Sequence, residues 1–276
     1  MFTQLSKFVL FTVIFSTLLA PSLTYADALI DAVADENRPL KQRLRDEYRH
    51  PQQTLRFFDV RADMAVAEIS PGGGWYSNII APLLKANGTY YAAHYYIDEN
   101  TNPYYQKSLD GFMQVVKNNP AYKNTKVTAF HPTQALDFAP AGSLDRVLTF
   151  RNIHNWYGQQ GEEGVKNAFN SFFKALKAGG ILGVVEHRLP ETMSNEKQLK
   201  SGYMKQSYII KMALQAGFKL VADSDINLNS LDSTEHEKGV WTLPPGLRLG
   251  DKDRAKYLAI GESTRMTLKF VKAAAL

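Results

Sequence analysis

Residues 67–76 read AEISPGGGWY, three consecutive glycines between an apolar run and two aromatic rings. The run leading into them, MAVAEI (64–69), is short and nearly uniformly apolar, the pattern of a strand buried on both faces. The stretch after them, WYSNIIAPLL (75–84), places Tyr76, Ile79, Ile80, Leu83 and Leu84 on one helical face, with a kink expected at Pro82. Strand, bare turn and helix make a device for holding anions and nucleotides. Glycine tolerates positive φ and lets a ligand approach the main chain, and the first helical turn offers unpaired amides. Gly72 and Gly74 supply a G-x-G, but Ser77 stands where the dinucleotide fingerprint wants Gly or Ala, and no Walker G-K-[ST] follows. A tight structural turn is the other reading of these residues.

Outward from this point, strands and helices alternate. GTYYAAHY (88–95), KVTAFH (126–131), DRVLTF (145–150), ILGVVEH (181–187), FKLVAD (218–223) and RMTLKFVK (265–272) are strand-like. EEGVKNAFNSFFKALKAGG (162–180) is helical, with Gly179 and Gly180 as its stop, and LKSGYMKQSYIIKMALQAG (199–217) is a second helix. The alternation predicts an α/β fold, a mostly parallel sheet covered on both faces. Before it, 27–58 reads as two short helices divided near Pro39 and Pro51. The irregular stretch 225–262 is expected to be an insertion or flap over the site, since long connections without regular structure are commonly functional.

The amino terminus has one lysine, Lys7, then thirteen uncharged residues from Phe8 to Ala20, then Pro21 and small residues up to Ala26 and Ala28. That layout predicts a cleavable signal peptide, so the expected location is exported, periplasmic or secreted. Thirteen residues fall short of the roughly 20 that span a bilayer, so no membrane span is expected after cleavage. The expected organisation is 1–26 signal peptide, 27–62 helical extension and 63–276 α/β domain. Of the 32 lysines and arginines only Lys7 precedes Asp27, which leaves 31 against 27 acidic residues, spread along the chain. No basic tract for nucleic acid is indicated. The absence of cysteine excludes disulfides, thiolate metal sites and cysteine nucleophiles.

Glu68-Ile69-Ser70-Pro71-Gly72-Gly73-Gly74, an acidic residue followed by a small residue and spaced glycines, resembles the first motif of class I S-adenosylmethionine-dependent methyltransferases. FFKALKAGGILGVVE is similar to the helix, turn and fifth strand of those enzymes, and ALQAGFKLV to their entry into strand six. The resemblance covers about 64 to 276, and SPGGGWYSNIIAP with FRNIHNWYG further resembles an exported branch of that superfamily. It implies a Rossmann-like, seven-stranded, mostly parallel sheet with an antiparallel last strand, binding S-adenosyl-L-methionine at the carboxyl ends of strands one and two. By position, Glu68 would hold the methionyl end, Ser70, Gly72, Gly73 and Gly74 would pass beneath the cofactor, and Trp75 with Tyr76 would wall it or pack in the core. The ribose is usually held by an acid at the end of strand two. Here that position is His94, leaving His94 or a reaching Asp98 to serve, with His131 and Gln134 toward adenine.

FRNIHNWYG, at the end of the fourth strand, falls where such sheets present residues to ligands. There His154 is a candidate base, Asn152 a contact to cofactor or acceptor, and Trp156 a pocket wall. Capping of the next helix by Asn152 and His154 is the alternative. Glu186 and His187 are second candidates. The six histidines include no pair three or four apart and no H-E-x-x-H, so no metal is expected. The function expected is methyl transfer to a small or lipid-like acceptor outside the cytoplasm. A decayed fold serving as a periplasmic binding module is the alternative, and a nicotinamide oxidoreductase is disfavoured by Ser77.

Overall fold

A computed structural model describes residues 21–274, with side chains from 28 onward. The apolar run Phe8 to Ala20 on which the signal-peptide expectation rests lies outside the described residues. Four helical pieces open the described chain: α1 (Pro21–Ala34), α2 (Leu40–Arg43), α3 (Asp46–Arg49) and α4 (Pro51–Phe57). The two helices expected over 27–58 are thus four pieces, and two of the breaks fall just before a helix, at Pro39 and at the left-handed His50 ahead of Pro51.

The sheet is built from β1 (Ala65–Ile69), α5 (Ser77–Leu84), β2 (Thr89–Tyr95), α6 (Pro103–Asn118), β3 (Thr125–Phe130), β4 (Leu144–Phe150), α7 (Ile153–Ala175) and β5 (Leu176–Leu189). It continues through α8 (Asn195–Ser201), β6 (Met204–Lys205), α9 (Gln206–Gln215), β7 (Phe218–Ser224), α10 (Arg254–Ile260) and β8 (Arg265–Lys272). Strand order is β3-β2-β1-β4-β5-β8-β7, with the two-residue β6 beside β5. β1 to β5 run parallel, and β8 enters antiparallel between β5 and β7. This is the mostly parallel sheet with a reversed last strand that the alternation and the resemblance anticipated.

The period of two sorts the strands between two cores. Ala67, Ile69, Tyr91, Val147 and Val184 face α7 and α9, where Phe169, Phe172 and Met212 close the layer. Val66, Tyr90, Ala92, Leu148 and Val185 face the other way, onto Phe58, Ile79, Ile80 and Leu84. Burying a phenylalanine such as Phe58, fully enclosed, contributes about 1.5–3 kcal/mol. The amino-terminal helices therefore complete one face of the sheet.

Two expectations are corrected. The helix expected over 162–180 ends at Ala175, and Gly179 and Gly180 belong to β5, at a register irregularity against β4. The helix expected over 199–217 is two, α8 and α9, because the chain turns at Gly202 (φ 74°) so that Met204 and Lys205 pair with β5. α7 also begins earlier than expected, at Ile153, and bends at Gly161, which has non-helical angles. Among the described residues no helix is long and apolar enough to cross a membrane.

Candidate functional site

Two adjacent strand ends define the centre of the molecule. Ile69 of β1 pairs with Thr149 of β4, and just beyond these strands Ser70 (φ 49°) and Arg151 (φ 62°) both adopt left-handed backbone. Each still extends the ladder by one bond, Ser70 N–H to Ala93 O and Arg151 N–H to Val185 O, both 2.8 Å. Left-handed backbone costs a non-glycine residue on the order of 1–2 kcal/mol, and such strain clusters at functional sites. The glycine turn follows Ser70. Gly72 (φ 56°) and Gly74 (φ 72°) need their missing side chains, and a Cβ on Gly74 would stand 3.3 Å from the Phe112 ring. Gly73 meets nothing within 4 Å.

Two cavities adjoin over this turn. The outer, about 410 Å³, is lined by Tyr95, Tyr96, Asp98, His131, Gln134 and Trp156 among others. The inner, about 200 Å³, is lined by Glu68, Gly72, Trp75, Tyr76, Phe150 and Arg151 among others. Ser70, Tyr95, Asn152 and Asn155 line both, so the two cavities are neighbours across these residues.

Glu68, 3% exposed, lines the inner cavity. Its Oε2 accepts from Ser77 Oγ (2.8 Å) and Tyr90 OH (2.7 Å), and no described residue hydrogen-bonds Oε1. Burial pushes this carboxyl up to about 7, against the hydroxyl bonds and the charges of Arg151 and Arg49. The Ser77 that spoils the dinucleotide fingerprint thus orients the acid. Asn152 donates from Nδ2 to Ile69 O (2.8 Å) and Thr149 Oγ1 (3.3 Å), locking the β1–β4 seam beneath both cavities. Asn152 stands at the N-cap position of α7, but its side chain makes no capping bond.

His94 lines neither cavity. It is fully buried, its Nε2 lies 3.1 Å from Gly72 O and its Nδ1 accepts from Tyr95 N (2.9 Å). A proton on Nε2 satisfies both contacts, so the ring braces the glycine turn, and burial lowers its pKa. The outer cavity takes Asp98 instead, whose Oδ1 accepts from Thr101 Oγ1 (2.7 Å) and Asn100 N (3.0 Å). His131 and Gln134 share that wall, and Trp156 lines it against Phe130, 5.4 Å between centroids. Trp75 and Tyr76 are chiefly core residues: Tyr76 stacks on Phe150 at 3.7 Å, and Trp75 donates to Gln42 O (3.1 Å) beneath Arg49.

His154 and Glu186 form a buried dyad at the start of α7, and neither lines the two cavities. His154 Nδ1 lies 2.9 Å from Glu186 Oε1, which also accepts from His187 N (2.8 Å). Glu186 Oε2 accepts from the backbone of Ile153 (2.7 Å) and His154 (3.4 Å), so Glu186, not Asn152, caps α7. His187 Nδ1 pairs with Ser263 Oγ (2.6 Å), and its burial, with His154, Arg151, Arg265 and Arg49 nearby, holds its pKa well below the ordinary value. His154, Glu186 and His187 offer donor atoms all within 4.8 Å of one another, a juxtaposition invisible to a search for spaced histidine pairs. Both carboxylate oxygens are already occupied, and the surrounding guanidinium charge opposes a dication. The 225–262 stretch reaches this side of the site: Trp241 stands 6.1 Å from His154, and Asp232 anchors the segment through Tyr203 OH (2.9 Å) and Thr264 N (2.8 Å). Arg151 was missed in the sequence because nothing in FRNIHNWYG marks a left-handed arginine.

The chain has the Rossmann-like fold of class I methyltransferases. It resembles a SAM-dependent methyltransferase from Aquifex aeolicus at 14% identity over 66% of this chain and 87% of that one, TM-score 0.51. The [4+2]-cyclase SpnF superposes with TM-score 0.58 at 12% identity, over 91% of this chain and 94% of that one. A possible exported protein from Bordetella parapertussis does so with TM-score 0.50 at 14% identity, over 91% and 80%. No family model matches the chain and no curated protein matches its sequence.

Proposed function

We propose that this protein is an S-adenosylmethionine-dependent methyltransferase that works outside the cytoplasm on a small acceptor. The observation that carries the reading is the pair of adjoining cavities over the glycine turn. A carboxyl with a free oxygen lines one, and Asp98, His131 and Gln134 line the other. The residues present fit the cofactor. Glu68 Oε1 accepts an ammonium, the bare main chain at Gly72 admits the middle of the molecule, and Asp98 offers a carboxylate to a ribose diol. When bound, S-adenosylmethionine supplies a methyl group already activated on a sulfonium. The protein's task is then to align the acceptor, exclude water and accept a proton.

His154 suits the last role. With Nδ1–H donated to Glu186, Nε2 is left as the basic atom, and the carboxylate steadies the charge that develops on the ring. Glu186, fixed by three backbone N–H groups, cannot turn away. His187 beside it stays neutral and adds no competing positive charge. The signal-like amino terminus and the likeness to a possible exported protein support the location. His94 favours the second reading, a binding module, because its ring nitrogens serve the backbone and no acid occupies the end of β2 itself.

Calorimetry with S-adenosylmethionine tests the proposal. Saturable binding, lost on Glu68→Ala, supports it. No heat and no thermal shift at millimolar ligand would leave the binding module.

A further inference from the structure

Behind the inner cavity the molecule gathers more positive charge than it neutralises. Arg45 Nε (2.5 Å), Arg49 Nε (3.0 Å) and Arg265 Nη2 (3.0 Å) all converge on the single carboxylate of Glu262. Burial alone would raise that carboxyl, yet Arg49, Arg265, Arg45 and Arg151 together hold it down to about 2. The guanidinium of Arg151, the fourth here, makes no hydrogen bond or ion pair with any described residue. Its Nη1 is buried without a partner, as are Arg45 Nη2 and Arg265 Nη1.

Among the described residues, neither Glu186 nor Glu68 forms an ion pair with Arg151. Glu186 is saturated by four N–H groups, and Glu68 is bound by two hydroxyls and reluctant to ionise. The charge of Arg151 is felt at Glu68 and Tyr76 on the cavity side and at Glu262, Arg265 and His187 on the other. Arg151 lines the inner cavity, and its backbone is held in the left-handed region just beyond β4. A buried guanidinium nitrogen without a partner costs free energy, and its planar fork matches carboxylate and phosphoryl groups. The missing partner is an anion.

We propose that the methyl acceptor carries a small oxyanionic group, carboxylate or phosphoryl, received by Arg151 at the wall of the inner cavity with Arg49 and Arg265 behind it. This rests on the transferase reading and names its substrate class.

The test is to titrate inorganic phosphate and malonate, separately, into the protein loaded with S-adenosylhomocysteine. Ionic strength is held with chloride, and binding is read by calorimetry and thermal shift. Saturable binding of either anion is expected. It should weaken at least tenfold in Arg151→Gln and by an intermediate factor in Arg151→Lys, with S-adenosylhomocysteine affinity kept. The anion that binds tells phosphoryl from carboxylate. No binding above the chloride baseline, or equal binding by Arg151→Gln, overturns the proposal. So does an Arg151→Gln variant that loses S-adenosylhomocysteine but keeps 5′-methylthioadenosine, because Arg151 then serves the cofactor's own carboxylate. Should S-adenosylhomocysteine not bind the wild type, the transferase reading falls, and Arg151-dependent anion binding to the unliganded protein still decides whether the site exists.

Discussion

Binding of S-adenosylmethionine is expected to expel a proton from Glu68, and the size of the effect follows from the site. With its carboxyl pushed up to about 7, Glu68 in the free protein is about nine-tenths protonated at pH 6, half at pH 7 and one-tenth at pH 8. An ammonium seated on Oε1 favours the ionised form, and a drop of two units corresponds to about 3 kcal/mol of pairing. Proton release from this residue should then be about 0.8, 0.5 and 0.1 per site at the three pH values, and affinity should weaken about tenfold from pH 8 to pH 6. Calorimetry in buffers of different ionisation enthalpy measures the release directly. 5′-Methylthioadenosine, which lacks the amino acid tail, is the control and should release nothing from Glu68. Equal release by both ligands, or release that does not grow as pH falls, would refute the placement of the ammonium on Glu68.

The same chemistry yields further expectations. Glu262→Gln leaves the buried guanidinium groups of Arg49 and Arg265 and the partly buried one of Arg45 without their carboxylate and should cost about 3–5 kcal/mol, read by denaturant melts at pH 7. Because the folded pKa of Glu262 lies near 2, below an unfolded value near 4.5, the stability it contributes is full above pH 4.5 and drains as pH falls toward 2. The acid limb of the melting curve should flatten in that variant. His154→Asn should lower turnover by about a hundredfold or more with cofactor affinity retained, in a single-turnover assay once an acceptor is known. Gly74→Val meets both a left-handed backbone and the Phe112 ring, so it should destabilise by about 2 kcal/mol or more and abolish cofactor binding.

The sheet was legible because parallel strands buried on both faces leave continuous apolar runs. RMTLKFVK is β8 to the residue, and MAVAEI differs from β1 by its first residue alone. Helix ends were less legible. Gly179 and Gly180 carry the signature of a helix stop, yet the chain had already left the helix at Ala175 and used them in an irregular strand pairing, a decision made by β4 rather than locally. The glycine turn and Glu68 were readable from local order. What was not readable were partners supplied from distant segments: Tyr90 to Glu68, Gly72 O to His94, and Glu262 to three arginines from 45 to 265. His154 and Glu186 were named separately, and only the parallel pairing of β4 with β5 brings them into one dyad.

That dyad is also what separates the two functional readings. The fold does not, since a [4+2]-cyclase shares it with a methyltransferase. The glycine turn does not either, because a module that merely holds a nucleoside needs the same bare main chain. A binding module has no use for a histidine whose Nδ1 is tied to a buried carboxylate while Nε2 is left basic, since that arrangement strengthens a proton acceptor and adds nothing to affinity for a cationic ligand. If the protein bound S-adenosylmethionine but turned over no acceptor, and Glu186→Gln lowered the stability alone, the dyad would be a helix cap, and the binding module would be the better account.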